Sequence, residues 1–188
     1  TTPKVLARTL EKDFPEVEQA VRVDWGSNFL FSIGDKRITE KGNIVDSNFL
    51  QVFTFPLLKG NPKQVLQDMH SIVLTETFAK KLFNGEDAMG KVVKIDNKEN
   101  FTVTGILKDI PKNTRFSFEY LVPWAYMRYE GNDDANWGNN STRTYVLLKP
   151  NASIEAANLK MKTLKPKYSP EDSAWQMFLY PMSKWRLG

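Results

Sequence analysis

The chain has 188 residues, of which 41% are hydrophobic and 12% aromatic, enough to build one ordinary domain or two small ones and too apolar for a disordered segment. Its 26 basic and 22 acidic residues leave a net charge of +4, a mild excess spread along the chain and unlike the dense basic stripe of a nucleic-acid binder. It contains no cysteine, which excludes disulfides, thiolate nucleophiles, iron–sulfur clusters and cysteine-type zinc sites.

In chain order, Thr2-Pro3 offers a cap and a first helical residue, and Leu6, Leu10 and Phe14 form one apolar stripe that Pro15 ends. A strand is expected from Val17 to Trp25. Phe29, Phe31 and Ile33 alternate before a turn at Gly34-Asp35-Lys36, with Ile38 to Val45 as the returning strand. Phe49, Leu50, Phe53 and Phe55 suggest a short helix laid on the core, broken up by Pro56, Gly60 and Pro62. Ser71 to Leu74 reads as a buried strand. Thr75 is placed to cap the next helix, Glu76 opposes its dipole, and Asn84-Gly85 supplies a left-handed stop. A turn at Gly90 leads to a hairpin, with Val93 and Ile95 on one strand and Phe101 and Val103 on the other.

Phe116, Phe118 and Tyr120 alternate as a further strand, followed by a short helix from Trp124 to Tyr129 and a polar loop from Glu130 to Ser141. Thr144, Val146 and Leu148 then open a strand–helix–strand unit. Ser153 caps its helix, Pro166 is expected to end it, and Trp175 to Tyr180 reads as the closing strand. Strands and helices mixed in this order indicate an α+β protein.

The search for chemistry turns up little. His70 is the sole histidine, and although Asp68 and Ser71 are near neighbours, sequence proximity does not build a triad that must converge around a substrate. Histidine-based metal sites generally need two imidazoles, so no metal, cofactor or catalytic residue is expected. Asp133-Asp134 and Glu171-Asp172 are adjacent acids that read as solvated loop residues. No Walker loop or G-x-G-x-x-G follows any strand, so ATP driving this protein would be hydrolysed by another polypeptide. Trp124, Tyr126, Tyr129 and Trp137 gather around the polar loop and are the candidate contacts for a ligand or partner. Lys160, Lys162, Lys165 and Lys167 make the last helix basic near its end, where cations oppose the dipole. No apolar stretch approaches the ~18 residues of a membrane span; the longest, Tyr120 to Met127, is interrupted by Pro123.

The run from Ser71 through Asp96, with its T-E-x-x-A-x-K-L-F helix, Gly90-Lys91 turn and the following Phe101-Thr-Val-Thr-Gly-Ile, resembles the periplasmic core domain of MacB/FtsX-type ABC transporter permeases. Phe14-Pro15-Glu16-Val17-Glu18 and the stretch from Phe49 to Gly60 are similar to further segments of that family, in the same order. The resemblance implies two mixed subdomains. One is Porter-like and membrane-proximal, a strand–helix–strand arrangement made of residues 1–46 and 142–188. The other, residues 47–141, is inserted between them. It implies a non-catalytic domain on the periplasmic side of a bacterial inner membrane, in a protein whose membrane helices lie outside these residues. Such a domain binds no nucleotide and passes conformational change from a cytoplasmic ABC ATPase to a periplasmic partner protein, a second permease copy or a substrate, in efflux, export or lipoprotein-type transport. The competing expectation is a stand-alone extracytoplasmic ligand-binding or sensory domain built on the aromatic quartet.

Overall fold

The computed structural model describes residues 1–172 and 176–184. Packing divides the chain into two units, one of residues 1–20 with 134–188 and one of residues 21–133. The sequence reading groups the hairpin of residues 27–45 with the termini. In the structure the two strands of that hairpin pair with each other and with strands of residues 92–95 and 120–123.

The second unit holds strands β2 (Ser27–Ile33), β3 (Lys36–Val45), β4 (Leu57–Lys59), β5 (Ser71–Thr75), β6 (Val92–Ile95), β7 (Glu99–Leu107) and β8 (Tyr120–Pro123). The hydrogen-bonded order is β2-β6-β7-β5-β8-β3, and because β2 also pairs with β3 the six strands close into a ring. The two ends of the ring meet through the antiparallel hairpin, Ser27 opposite Gly42 to Ile33 opposite Lys36. β3 runs parallel to β8, with Asn43 opposite Leu121. Closure leaves these strands few unpaired edges, which in an open sheet would invite aggregation.

Alternating apolar side chains fill this unit. Phe31, Ile72, Leu74, Val93, Ile95, Phe101, Val103 and Tyr120 are all buried in one cluster. The helix α3 (Glu76–Phe83) adds Phe78, Ala79, Leu82 and Phe83 to it. Thr75 caps α3 by accepting from the Phe78 N–H, and Asn84 ends it in the left-handed conformation, as the residue types require. Gly42 has a packing role: a Cβ there would lie 2.5 Å from the Tyr120 ring. Phe116 and Phe118 depart from expectation. They lie in a loop, because pairing with β5 begins only at Tyr120 and Leu121, and their rings pack instead with Phe49, Phe53 and Phe55.

The first unit contains α1 (Leu6–Asp13), the opening of β1 (Val17–Asp24), β9 (Thr142–Leu148) and α5 (Ile154–Tyr168). Leu6, Ala7, Leu10, Phe14, Val17, Ala20, Met161 and Leu164 form its core. Two expectations fail here. Thr2 does not cap α1, which starts at Leu6 after an uncapped Val5; Thr2 pairs with Thr142 in an antiparallel bridge instead. Pro166 does not end α5, which continues to Tyr168. The last turn survives the missing N–H because its side chains are held from outside: Tyr168 stacks on Trp137 at 5.0 Å, Lys165 donates to the Trp137 carbonyl at 3.0 Å, and Tyr168 and Lys167 both donate to Asp13. Of the expected closing strand, Trp175 lies outside the described residues, and among the described residues no strand forms over 176–180.

Candidate functional site

The four aromatics singled out by sequence do not form one surface. Trp124 and Tyr126, on α4 (Trp124–Tyr129), are only 2% and 3% exposed and belong to the core of the second unit. Trp137 belongs to the first unit, flat against Tyr168. Tyr129, 55% exposed, is the one of the four with a broad face open to solvent.

Around α4 the structure builds two polar arrangements. In the first, the Arg22 guanidinium lies 4.4 Å from the centre of the Trp124 ring, a cation–π contact in a buried setting. The same guanidinium donates through Nη2 to Asp46 Oδ1 at 2.8 Å and through Nε to Asp46 Oδ2 at 3.0 Å. Its Nη1 reaches Asp133 at 3.1 Å. Such a pair is worth little net, yet removing one partner leaves a buried charge and costs about 3–5 kcal/mol. Arginine in the middle of the run Ala20-Val21-Arg22-Val23 was the available signal for this network, since a buried strand does not tolerate an unpaired charge.

In the second arrangement three elements meet at Glu99. Tyr129 donates to Glu99 Oε1 at 3.0 Å, and His70 Nε2 lies 3.2 Å from Oε2. The His70, Phe101 and Tyr126 rings pack edge to face nearby, and Tyr126 donates to Glu130. Burial, then the Glu130 carboxylate, pushes the Tyr126 phenol well above its ordinary range, while the bond to Glu99 raises that of Tyr129. No relay joins His70 to its sequence neighbours. The Asp68 carboxylate accepts from the His70 backbone N–H, and Ser71 Oγ donates to the Asp68 carbonyl.

The adjacent acids also have separate tasks. Asp133 serves Arg22, whereas Asp134 accepts from Lys4 at 2.6 Å and from Asn139 at 2.9 Å, and the Lys4 bond holds its carboxyl below the usual range. Lys160 is bonded to Glu16 and Lys167 to Asp13, so part of the basic end of α5 is neutralised within its own unit. Among the described residues no group of three or more His, Asp or Glu is arranged to hold a metal ion, and no helix is long and apolar enough to cross a membrane.

One recess was not foreseen. A groove of about 1110 Å³ in the first unit is lined by Leu6 and Leu10 of α1, by Arg143 to Val146 and Leu148 of β9, by Met161 of α5 and by residues of the stretch 176–184. That stretch is tied to α5 through Asn158, which accepts from the Leu179 N–H at 2.6 Å and donates to its carbonyl at 3.0 Å.

This mixed α+β fold matches those of solved periplasmic and extracellular transporter domains. Residues 1–164 match the family model of the MacB-like periplasmic core domain, and the chain belongs to that family. Among solved structures, a domain of a permease-like protein from Porphyromonas gingivalis matches with a TM-score of 0.80 at 24% identity, over 96% of this chain and 83% of that one. The periplasmic region of MacB from Actinobacillus actinomycetemcomitans matches with a TM-score of 0.67 at 19% identity, covering 89% and 74%. The extracellular domain of the noncanonic ABC-type transporter YknZ from Gram-positive bacteria matches with a TM-score of 0.65 at 17% identity, covering 89% and 83%. No curated protein sequence matches the chain.

Proposed function

We propose that this domain makes and breaks no covalent bonds and works as a mechanical element on the extracytoplasmic side of an ABC permease. It passes conformational change from a cytoplasmic ATPase, through membrane helices, to an extracytoplasmic partner protein or a second permease copy, in export, efflux or lipoprotein-type transport. Membership of the MacB-like periplasmic core family over residues 1–164 carries the reading. The physics of the second unit agrees with it. A closed ring of strands around a continuous aromatic core is stiff, and a stiff body converts a small displacement at its attachment into rigid-body movement. The terminal segments lie together in one unit, in keeping with a membrane-proximal, Porter-like role for it.

The test is a distance measurement in the assembled transporter. The chain has no cysteine of its own, so spin labels can be placed at Leu159→Cys in the first unit and Tyr129→Cys in the second, both exposed. The distance distribution is expected to differ between the ATP-bound and nucleotide-free transporter. Identical distributions in both states would remove the mechanical reading. A saturable thermal shift of the isolated domain with a small molecule would favour the ligand-binding alternative, for which Tyr129 is the remaining exposed contact.

A further inference from the structure

We infer that the chain's two passages between units, at Ala20–Val21 and at Asp133–Asp134, are the pivots of this domain, each held on both sides by a carboxylate bond within the unit on that side. Their purpose rests on the mechanical reading proposed above, and they are the part of the chain that turns.

At the first passage the Ala20 N–H donates to Glu11 Oε1 at 3.0 Å, both residues lying in the first unit. Two residues on, the Arg22 N–H donates to Asp46 Oδ2 at 2.7 Å, both in the second. Val21 alone stands between these bonds. At the second passage no residue stands between. Asp133 Oδ1 accepts from Arg22 Nη1 at 3.1 Å in the second unit, and Asp134 Oδ2 accepts from Lys4 Nζ at 2.6 Å in the first. Each of the four bonds stays within one unit. The adjacent acids thus face different bodies.

The anchors are firm. Lys4, Arg22 and Asp46 are buried, and hydrogen bonds to ionised groups are roughly twice as strong as neutral ones. Asp46 also receives the Arg22 guanidinium through Nε and Nη2, and the second oxygen of Glu11 accepts from Arg8. Arg22 serves both passages. Its backbone is held where the chain enters the second unit and its side chain where the chain leaves it.

A rigid body attached at one point keeps three rotations, whereas two fixed points leave it one, about the line that joins them. Slack in either connection would restore the others. Hinges absorb their changes in φ and ψ over a few residues, and here the bonds confine those changes to residues 20–22 and 133–134. A displacement of the first unit then becomes a turn of the strand ring, with little lost to stretching of the connections.

The experiment uses the isolated 188-residue chain and reads backbone amide order parameters by NMR. In the wild type, residues 20–23 and 132–135 are expected to be as ordered as the strands, about 0.85. Lys4→Met is expected to bring residues 134–136 below about 0.6 and leave 130–133 unchanged, and Asp133→Ala to loosen 130–133 alone. With nitroxides at Leu159→Cys and Tyr129→Cys, the distance distribution is expected to be at least twice as wide when Lys4→Met and Asp133→Ala are combined. Wild-type values below about 0.6 at either passage would overturn the inference. So would an unchanged width in the combined variant, or single variants that loosen both sides alike. The outcomes separate from those of the mechanical reading. Ordered passages with a transporter distance that ignores ATP would remove that reading alone, and loose passages with a distance that responds would remove the pivots alone.

Discussion

Asp24 stands at the end of β1 with its carboxylate buried among donors. It accepts from Ser27 Oγ at 2.7 Å, from Asn43 Nδ2 at 2.8 Å and from the Ile44 N–H at 3.0 Å. Burial outweighs these bonds and raises its pKa above the ordinary carboxylate value. A carboxyl whose folded pKa is raised contributes stability that is complete below its unfolded value and is lost as pH rises through the folded one. Ionised Asp24 is thus a cost at neutral pH. Asp24→Asn keeps an acceptor for Asn43 and Ile44, and its new amide can donate to Ser27 Oγ. The variant is expected to gain on the order of 1 kcal/mol at pH 7, about 2–4 °C in Tm, with the gain shrinking towards pH 4. Thermal unfolding across that pH range checks it, and a variant less stable at pH 7 than at pH 4 relative to wild type would refute the sign. Arg22 and Asp24 show what a single sequence conceals. Their identities signal that a strand must satisfy buried charges, but the partners Asp46, Asp133 and Asn43 come from elsewhere in the chain, brought near only by folding.

At the scale of elements, α3 was legible because each of its signals is local. Thr75, Glu76, the apolar face and Asn84 all act within one or two turns. Thr75 has a second partner, since its hydroxyl donates to Glu119 at 2.5 Å while accepting from Phe78. Thr75→Ala should therefore cost about 1–2 kcal/mol, more than Thr75→Ser, which preserves both bonds. Equal stability of the two variants in urea denaturation would show that the cap does not matter. The misreadings share one cause. Thr2 was a plausible cap until a strand 140 residues away claimed it, and Pro166 a plausible stop until Trp137 and Asp13 held the turn beyond it. Phe116 and Phe118 alternate like strand residues because they face an aromatic cluster, while β8 begins only at Tyr120. Alternation reports on burial, and only pairing makes a strand.

For the molecule as a whole, the chain passes from the first unit to the second between Ala20 and Val21 and returns between Asp133 and Asp134. The α+β class was readable from the order of periodic segments, but the closing of the ring was not. Closure depends on β2 meeting both β3 and β6, and nothing local in Phe31 or Ile95 specifies that they lie opposite each other. The burial of two of the aromatic quartet was hidden for a related reason: aromatic residues anchor cores and surfaces alike, and Trp124 and Tyr126 serve the core. Because the ring pairings and their core lie within residues 21–133, that fragment is expected to fold alone, with a near-UV circular dichroism signal from its buried rings and a single cooperative melt. A fragment with far-UV signal only, a molten state, would show that the terminal unit is needed to fix the packing.

The parallel contact between β3 and β8 also sets a timetable for synthesis. Asn43 emerges from the ribosome roughly 80 residues before its partner Leu121, a wait of roughly 4–16 s at 5–20 residues per second. Through that interval β3 has no sister strand to cover it, and until Ile95 emerges the outer edge of β2 is bare as well, so the nascent chain gains from holding factors or from slow, ordered emergence that keep it from pairing with its neighbours.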